Sequence, residues 1–248
     1  LRDFVAGLSG IIIAPDVDKA RREGNLAKVG GGVATAAGDS VASIYDSYSG
    51  ITGTVSGGVA TLETDGRGHW WLEFGGDDTS LRFPVSMSQT GIYSASALLL
   101  DQASPPSTRR ILATDTGTGA PHGTIGAAAL LMQVQGGSLV LNYCVEGIIS
   151  VSFTEGYSQA FESLQNAGVN ATKVGVNGSD ASGTFNTDFT PSTHIVYGYT
   201  DAASPGVGSR LYSAVVLNQQ PPDRSLVRAY LASKYSNVVM PLPATTAT

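Results

Sequence analysis

Short apolar runs of about five to nine residues follow one another from the middle of the chain to near its end. They read WWLEFGG, TSLRFPV, YSASALLLD, RRILATD, AALLMQVQGG, SLVLNYCVEG, GIISVSFTEG, THIVYGYTD and SRLYSAVVLN. Gly, Pro, Asp or Asn separates them at intervals of roughly ten residues, the punctuation of strands and turns. No helical period lies between consecutive runs, so a parallel sheet with crossover helices is not expected. The pattern predicts an all-β, two-sheet antiparallel sandwich of jelly-roll type.

The stretch HWWLEFGGDD at 69–78 shows the strand rule most clearly. Alternation puts Trp70, Leu72 and Phe74 on one face and His69, Trp71 and Glu73 on the other. The first set is purely apolar and reads as core. Gly75 and Gly76 make a turn, Asp77 and Asp78 bond its backbone, and Leu81 and Phe83 resume the alternation. QGG before SLVLNYC marks a hairpin, and GVNGSDASG at 175–183 reads as a loop tip with Asn-Gly turn chemistry. GGVAT occurs twice, at 31–35 and 57–61, each copy predicted to open a strand after a glycine turn.

Two segments break the strand pattern. DVDKARREGNLAK, within the first 30 residues, suits one short helix or an irregular arm. At the other end, PPDRSLVRAYLASKY places Leu226, Val227, Tyr230, Leu231 and Tyr235 at the three-and-four spacing of an amphipathic helix. Asp223 is its N-cap or first-turn acid, and Lys234 falls in the last turn, where a cation is favoured. Pro241 and Pro243 stop any continuation. A helix on a sandwich is expected to cover an edge or close the open end of a sheet. Nothing marks a linker, so the expectation is an N-terminal arm over 1–30 and one domain over 31–248, with the helix at 223–235.

Composition narrows the function classes. The 248 residues are 42% hydrophobic and 14% charged, enough to bury a substantial core. A net charge of −6 without a Lys/Arg cluster argues against a nucleic-acid partner. No apolar run reaches the ~18–20 residues of a membrane-spanning helix. The opening LRDFVAGLSG lacks the pattern of a secretory leader, so the sequons at Asn170 and Asn177 carry no expectation of glycosylation. The single Cys144 sits in a strand-like run and reads as a buried structural thiol.

Candidate chemistry is sparse. Glycoside cleavage needs two carboxylates ~5–9.5 Å apart across a cleft. No Glu-x-Asp-x-x-Glu strand occurs, Glu73 and Asp77 flank a glycine turn, and Asp16 and Asp18 lie outside a strand context. His122 and His194 lack a nucleophile elbow or zinc spacing. The chain is therefore expected not to be an enzyme and to need no cofactor. Oxygen-rich tips with Asn177 and Asp180, and with Asp115, are the candidates for a Ca²⁺ ion. Trp71, Tyr45, Tyr48 and Tyr157, outside any clear apolar face, are candidates to stack on a sugar ring, with Glu73 beside Trp71 to bond its hydroxyls.

GRGHWWLEFGGDDTSLRF at 66–83 and SRLYSAVVLNQQPPDRSLVRAYLASKY at 209–235 together resemble the concanavalin-A-like, laminin-G-like jelly-roll domains of tailed-bacteriophage virion proteins. SVASIYDSYSG at 40–50 is similar in rhythm. The resemblance implies a non-enzymatic structural protein on the virion surface, as capsid decoration or fibre, assembled in the host cytoplasm. Its partners would be other virion proteins and sister copies, with a trimer the natural homo-oligomer, and the N-terminal arm or a sheet edge would dock. The loops would meet host cell-surface glycans. The alternatives are a carbohydrate-binding, lectin-like module for receptor recognition and a glycan depolymerase.

Overall fold

The computed structural model describes residues 4–75, 79–86, 92–100, 109–115, 131–135, 138–143, 147–152, 157–165, 168–185, 193–198 and 209–235. The predicted turn at Gly76, Asp77 and Asp78, and His122, Cys144, Pro241 and Pro243, lie outside them. Among the described residues the strands are β1 Ile11–Ile13, β2 Leu26–Lys28, β3 Ser40–Asp46, β4 Ile51–Ser56, β5 Val59–Thr64, β6 Trp70–Gly75 and β7 Ser80–Phe83. They continue with β8 Ile92–Leu100, β9 Arg109–Asp115, β10 Leu131–Gln135, β11 Ser138–Tyr143 and β12 Gly147–Ser152. The last are β13 Ser158–Gln165, β14 Gly168–Val176, β15 Ser179–Phe185, β16 His194–Tyr197 and β17 Ser209–Leu217. Two helices accompany them, α1 Val17–Glu23 and α2 Arg224–Ala232.

Every pairing is antiparallel, as the short connections require. One layer runs β5–β6–β17–β8–β13–β14–β15, with β1 beside the end of β17. The other runs β2–β3–β4–β7–β16–β9–β10–β11–β12. Strand β3 also pairs with β5, which stitches the layers along one side. The two-layer, all-β sandwich is thus observed. Strands β10 and β11 form the hairpin expected around QGG, with Gln135 opposite Ser138.

The core between the layers includes Leu72, Phe74, Leu81, Phe83, Phe161, Val174, Ile195, Tyr197 and Leu211, all essentially buried. Trp70 packs against it under the guanidinium of Arg21, 4.2 Å from the ring centre. A second apolar layer lies on the outer face of the first sheet: Tyr93, Ala95, Ala97 and Leu99 of β8, Ala160 and Leu164 of β13, and Val215 and Leu217 of β17. Val227, Tyr230, Leu231 and Tyr235 cover it. Here the structure corrects the expectation for α2, which lies across the face of β8 and β13 rather than along an edge. Leu226, expected on the apolar side, is 50% exposed. The N-cap is as expected: the Asp223 carboxylate accepts the Ser225 N–H. No helix among the described residues is long and apolar enough to cross a membrane.

The first residues are part of the domain rather than a free arm. Strand β1 pairs with β17, Val5 is buried, and the Phe4 ring lies 5.8 Å from Tyr230. Helix α1 is capped by Asp16 at one end and by left-handed Gly24 at the other. The Asp16 carboxylate also accepts the Tyr230 hydroxyl and the Lys234 ammonium, so the two ends of the chain are tied together. The first GGVAT copy is not a strand: Gly30, Gly31 and Gly32 all have positive φ, and only Val33 makes a single bridge, to Ala27.

Candidate functional site

Strands β13, β14 and β15 were not legible as strands, because β13 is buried on both faces. Ala160, Phe161, Glu162, Ser163 and Leu164 are all at or below 2% exposure, which erases the alternation of a half-buried strand. Strands β14 and β15 are joined by Asn177 and Gly178 alone, with φ of 51° and 89°, a two-residue hairpin that needs left-handed backbone at both positions. The Asn177 backbone exchanges a bond with Ala160, its N–H donating to that carbonyl, while its side-chain Oδ1 accepts the Ala160 N–H at 2.9 Å. The turn is thereby locked onto β13.

Beside this turn lies a cavity of about 320 Å³, lined by Ser158, Ala160, Asn177, Arg228, Ala229, Ala232 and Tyr235. The sheet supplies one wall and the last turns of α2 the other. Tyr157, which immediately precedes Ser158, is 42% exposed. Behind the cavity an aromatic ladder runs from Tyr235 to Tyr212 at 5.9 Å and on to Trp71 at 5.5 Å. Ser158 donates to the Tyr212 hydroxyl at 3.1 Å. Burial raises the pKa of Tyr212 and Tyr235, so both phenols stay protonated at neutral pH.

The α2 wall is held by buried charge. Glu162 is fully buried and accepts the Tyr93 hydroxyl at 2.6 Å, Arg224 Nε at 3.2 Å and Arg228 Nη1 at 3.0 Å. Arg224 also grips both oxygens of Asp180, at 2.6 and 2.9 Å. Burial and then the Glu162 charge push the Tyr93 pKa well up. Burial would lower that of Arg224, but the bonds and charges of Asp180 and Glu162 raise it. Two glycines make the approach possible. A Cβ on Gly178 would stand 3.3 Å from Arg228 Nε, and one on Gly175 would meet the Asp180 carboxylate at 2.3 Å. Sequence reading missed this cluster, since Glu162, Arg224 and Arg228 are up to 66 residues apart.

The candidates named from sequence fall in different places. Trp71 is 5% exposed, covered by Tyr212 on one side and by Arg210 at 4.9 Å, so it has no free ring face for a sugar. Glu73 is occupied, accepting the Trp71 indole at 3.0 Å and pairing with Arg210 at 3.3 Å. Tyr45 and Tyr48 flank a second cavity of only about 10 Å³, room for a water molecule and not for a sugar. Lys19 stands 4.1 Å over the Tyr48 ring there. Asn177 lines the large cavity, whereas Tyr157 is only the exposed chain neighbour of the lining residue Ser158. The calcium candidates do not converge: Asn177 spends its oxygen on Ala160 and Asp180 spends both on Arg224. Asp115 ends β9 opposite His194, and its side chain lies outside the described residues. Among the described residues no cluster of three or more His, Cys, Asp or Glu is placed to hold a metal.

The result is an open cavity with aromatic, amide and guanidinium groups on a β-sandwich. No family model and no curated protein matches the chain in sequence. Solved structures share the fold. The binding domain of botulinum neurotoxin DC, in complex with SialylT, matches with a TM-score of 0.59 at 12% identity, over 92% of this chain and 52% of that one. Trypanosoma rangeli sialidase matches with 0.58 at 13%, over 88% and 37%. The botulinum neurotoxin type G receptor-binding domain matches with 0.57 at 9%, over 91% and 52%. The chain thus spans about half or less of the length of these proteins, and identities this low show a common all-β fold.

Proposed function

We propose that the chain is a non-enzymatic, surface-displayed virion domain of a tailed phage whose work is to bind host glycans. The observation that carries it is the cavity of about 320 Å³ lined by Ser158, Asn177, Arg228 and Tyr235, with the exposed Tyr157 next to Ser158 in the chain. Ligand sites combine a concave surface, apolar or aromatic walls and a few fixed polar groups, and this cavity has each. Two of the fold neighbours are named as binding domains, one of them in complex with SialylT, which supports a recognition role. The virion setting rests on the sequence resemblance at 66–83 and 209–235. Contacts with other virion proteins and a symmetric homo-oligomer follow from that setting. Glu73, the carboxylate best placed by sequence for hydrolysis, serves to hold Arg210 over Trp71, which favours a non-catalytic role.

The test is a glycan array probed with the wild-type chain and with Tyr157→Ala. The expected result is a defined set of bound glycans, with affinity falling about tenfold or more when the tyrosine ring is removed. No binding, or binding indifferent to Tyr157 and Arg228, would remove the glycan reading. Steady release of reducing ends from a bound glycan would replace it with a depolymerase.

A further inference from the structure

Resting on the reading that this cavity binds glycan, the chemistry of its lining narrows which glycan. Among the described residues the lining holds no carboxylate: Ser158, Ala160, Asn177, Arg228, Ala229, Ala232 and Tyr235 leave Arg228 as its one charged side chain. Arg228 gives one N–H to Glu162 and its charge also acts on Asp223, but that single hydrogen bond leaves most of its five donors unspent. Its side chain is 27% exposed, while the acid that holds it is wholly buried behind it. The other acid of the cluster, Asp180, is taken up by the bidentate grip of Arg224.

Asn177 points the same way. Its Oδ1 accepts from Ala160, which fixes the amide orientation and leaves the two Nδ2 donors as what the side chain offers outward. The fixed turn and the Glu162 bond hold amide and guanidinium ready without a further ordering cost on binding. A guanidinium beside an amide donor, its paired acid Glu162 buried behind it and outside the lining, suits an anionic oxygen pair and repays little for a neutral hydroxyl that must also donate.

We propose that the cavity binds an acidic sugar, its carboxylate held by the Arg228 guanidinium and the Asn177 Nδ2 group, with the sugar ring extending to the exposed Tyr157, the chain neighbour of Ser158. The two ends of the recognition are then separate: the tyrosine reads a sugar face and the donor pair reads the charge.

The experiment compares matched ligands. After an array carrying both sialylated and uronic-acid glycans and their neutral counterparts, the best acidic binder and its methyl ester are titrated calorimetrically. The protein forms are wild type, Arg228→Gln and Asn177→Gly. Arg228→Gln leaves Glu162 its bonds from Tyr93 and Arg224, and Gly keeps the positive-φ turn, so thermal unfolding of both variants checks that the domain is intact. The expected result is at least a tenfold preference for the acid over its ester. In Arg228→Gln that preference should collapse, with binding of the ester little changed. Asn177→Gly should lower the preference several-fold, and added salt should weaken the acid only. If the ester binds as well as the acid while Tyr157→Ala still abolishes binding, the acidic class is overturned and the glycan site stands. If no glycan binds, or neither Tyr157 nor Arg228 matters, both fall together.

Discussion

Two aromatic residues show how a single position's role is set by what covers it. Trp71 and Tyr157 look alike as sugar-stacking candidates, yet one is 5% exposed and the other 42%. Tyr212 of β17 and Arg210 decide the difference, because they close over the indole from a strand about 140 positions along the chain. Trp71→Ala is therefore expected to cost about 3–5 kcal/mol of stability, the range for deleting a buried aromatic, measured by denaturant unfolding. Tyr157→Ala is expected to leave stability within about 0.5 kcal/mol while reducing binding. Asp39 supplies a pH prediction. A hydrogen bond from Lys28, then the N–H groups of Ala36 and Thr35, hold its carboxyl down to about 2. Because that value lies below the unfolded one of ~3.9, the group supports the fold above pH ~4, and the support is lost as pH falls toward 2. NMR titration of the Asp39 carboxyl carbon should show a midpoint near 2, and amides over 28–39 should lose protection only below pH ~4.

At the scale of elements, helix α2 was legible and its seat was not. Spacing and the Asp223 cap identify the helix locally, and Val227, Tyr230 and Leu231 are buried as the period requires. What it sits on is set by Glu162 pulling in Arg224 and Arg228 and by Asp16 taking Tyr230 and Lys234. An acid wholly out of water must keep its partners, and the partners must keep it. Glu162→Ala is expected to destabilise by about 3–5 kcal/mol, since it strands the Arg228 guanidinium and the Tyr93 phenol and leaves Arg224 with Asp180 alone. Glu162→Gln should cost less, because the amide oxygen still accepts. Hydrogen exchange should show α2 opening first in the alanine variant. The β14–β15 hairpin is the opposite case: Asn-Gly was readable as turn chemistry, although the flanking strands were not.

Across the whole molecule, the sheet is sealed twice. One face packs on the second layer through Leu72, Phe74 and Phe161, and the other is roofed by α2 and the N-terminal segment through Tyr93, Trp71 and Tyr230. This explains why β6 reads cleanly on its Trp70, Leu72, Phe74 side and misleads on the side of Trp71. It also accounts for residues 4–30 serving as roof and edge rather than as an arm, with Asp16 binding the helix at the far end of the chain. The amino-acid sequence by itself determined the all-β class, most of the strands from β5 onward and the Asp223 cap of α2, because period, turn residues and capping act between neighbours a few positions apart. Tertiary structure alone decided that the second face of the sheet is dry, that Glu162 gathers two arginines, and that Asn177, Arg228 and Tyr235 share one cavity. Those outcomes depend on burial and charge pairing between residues tens to hundreds of positions apart, and local pattern carries no record of such distances.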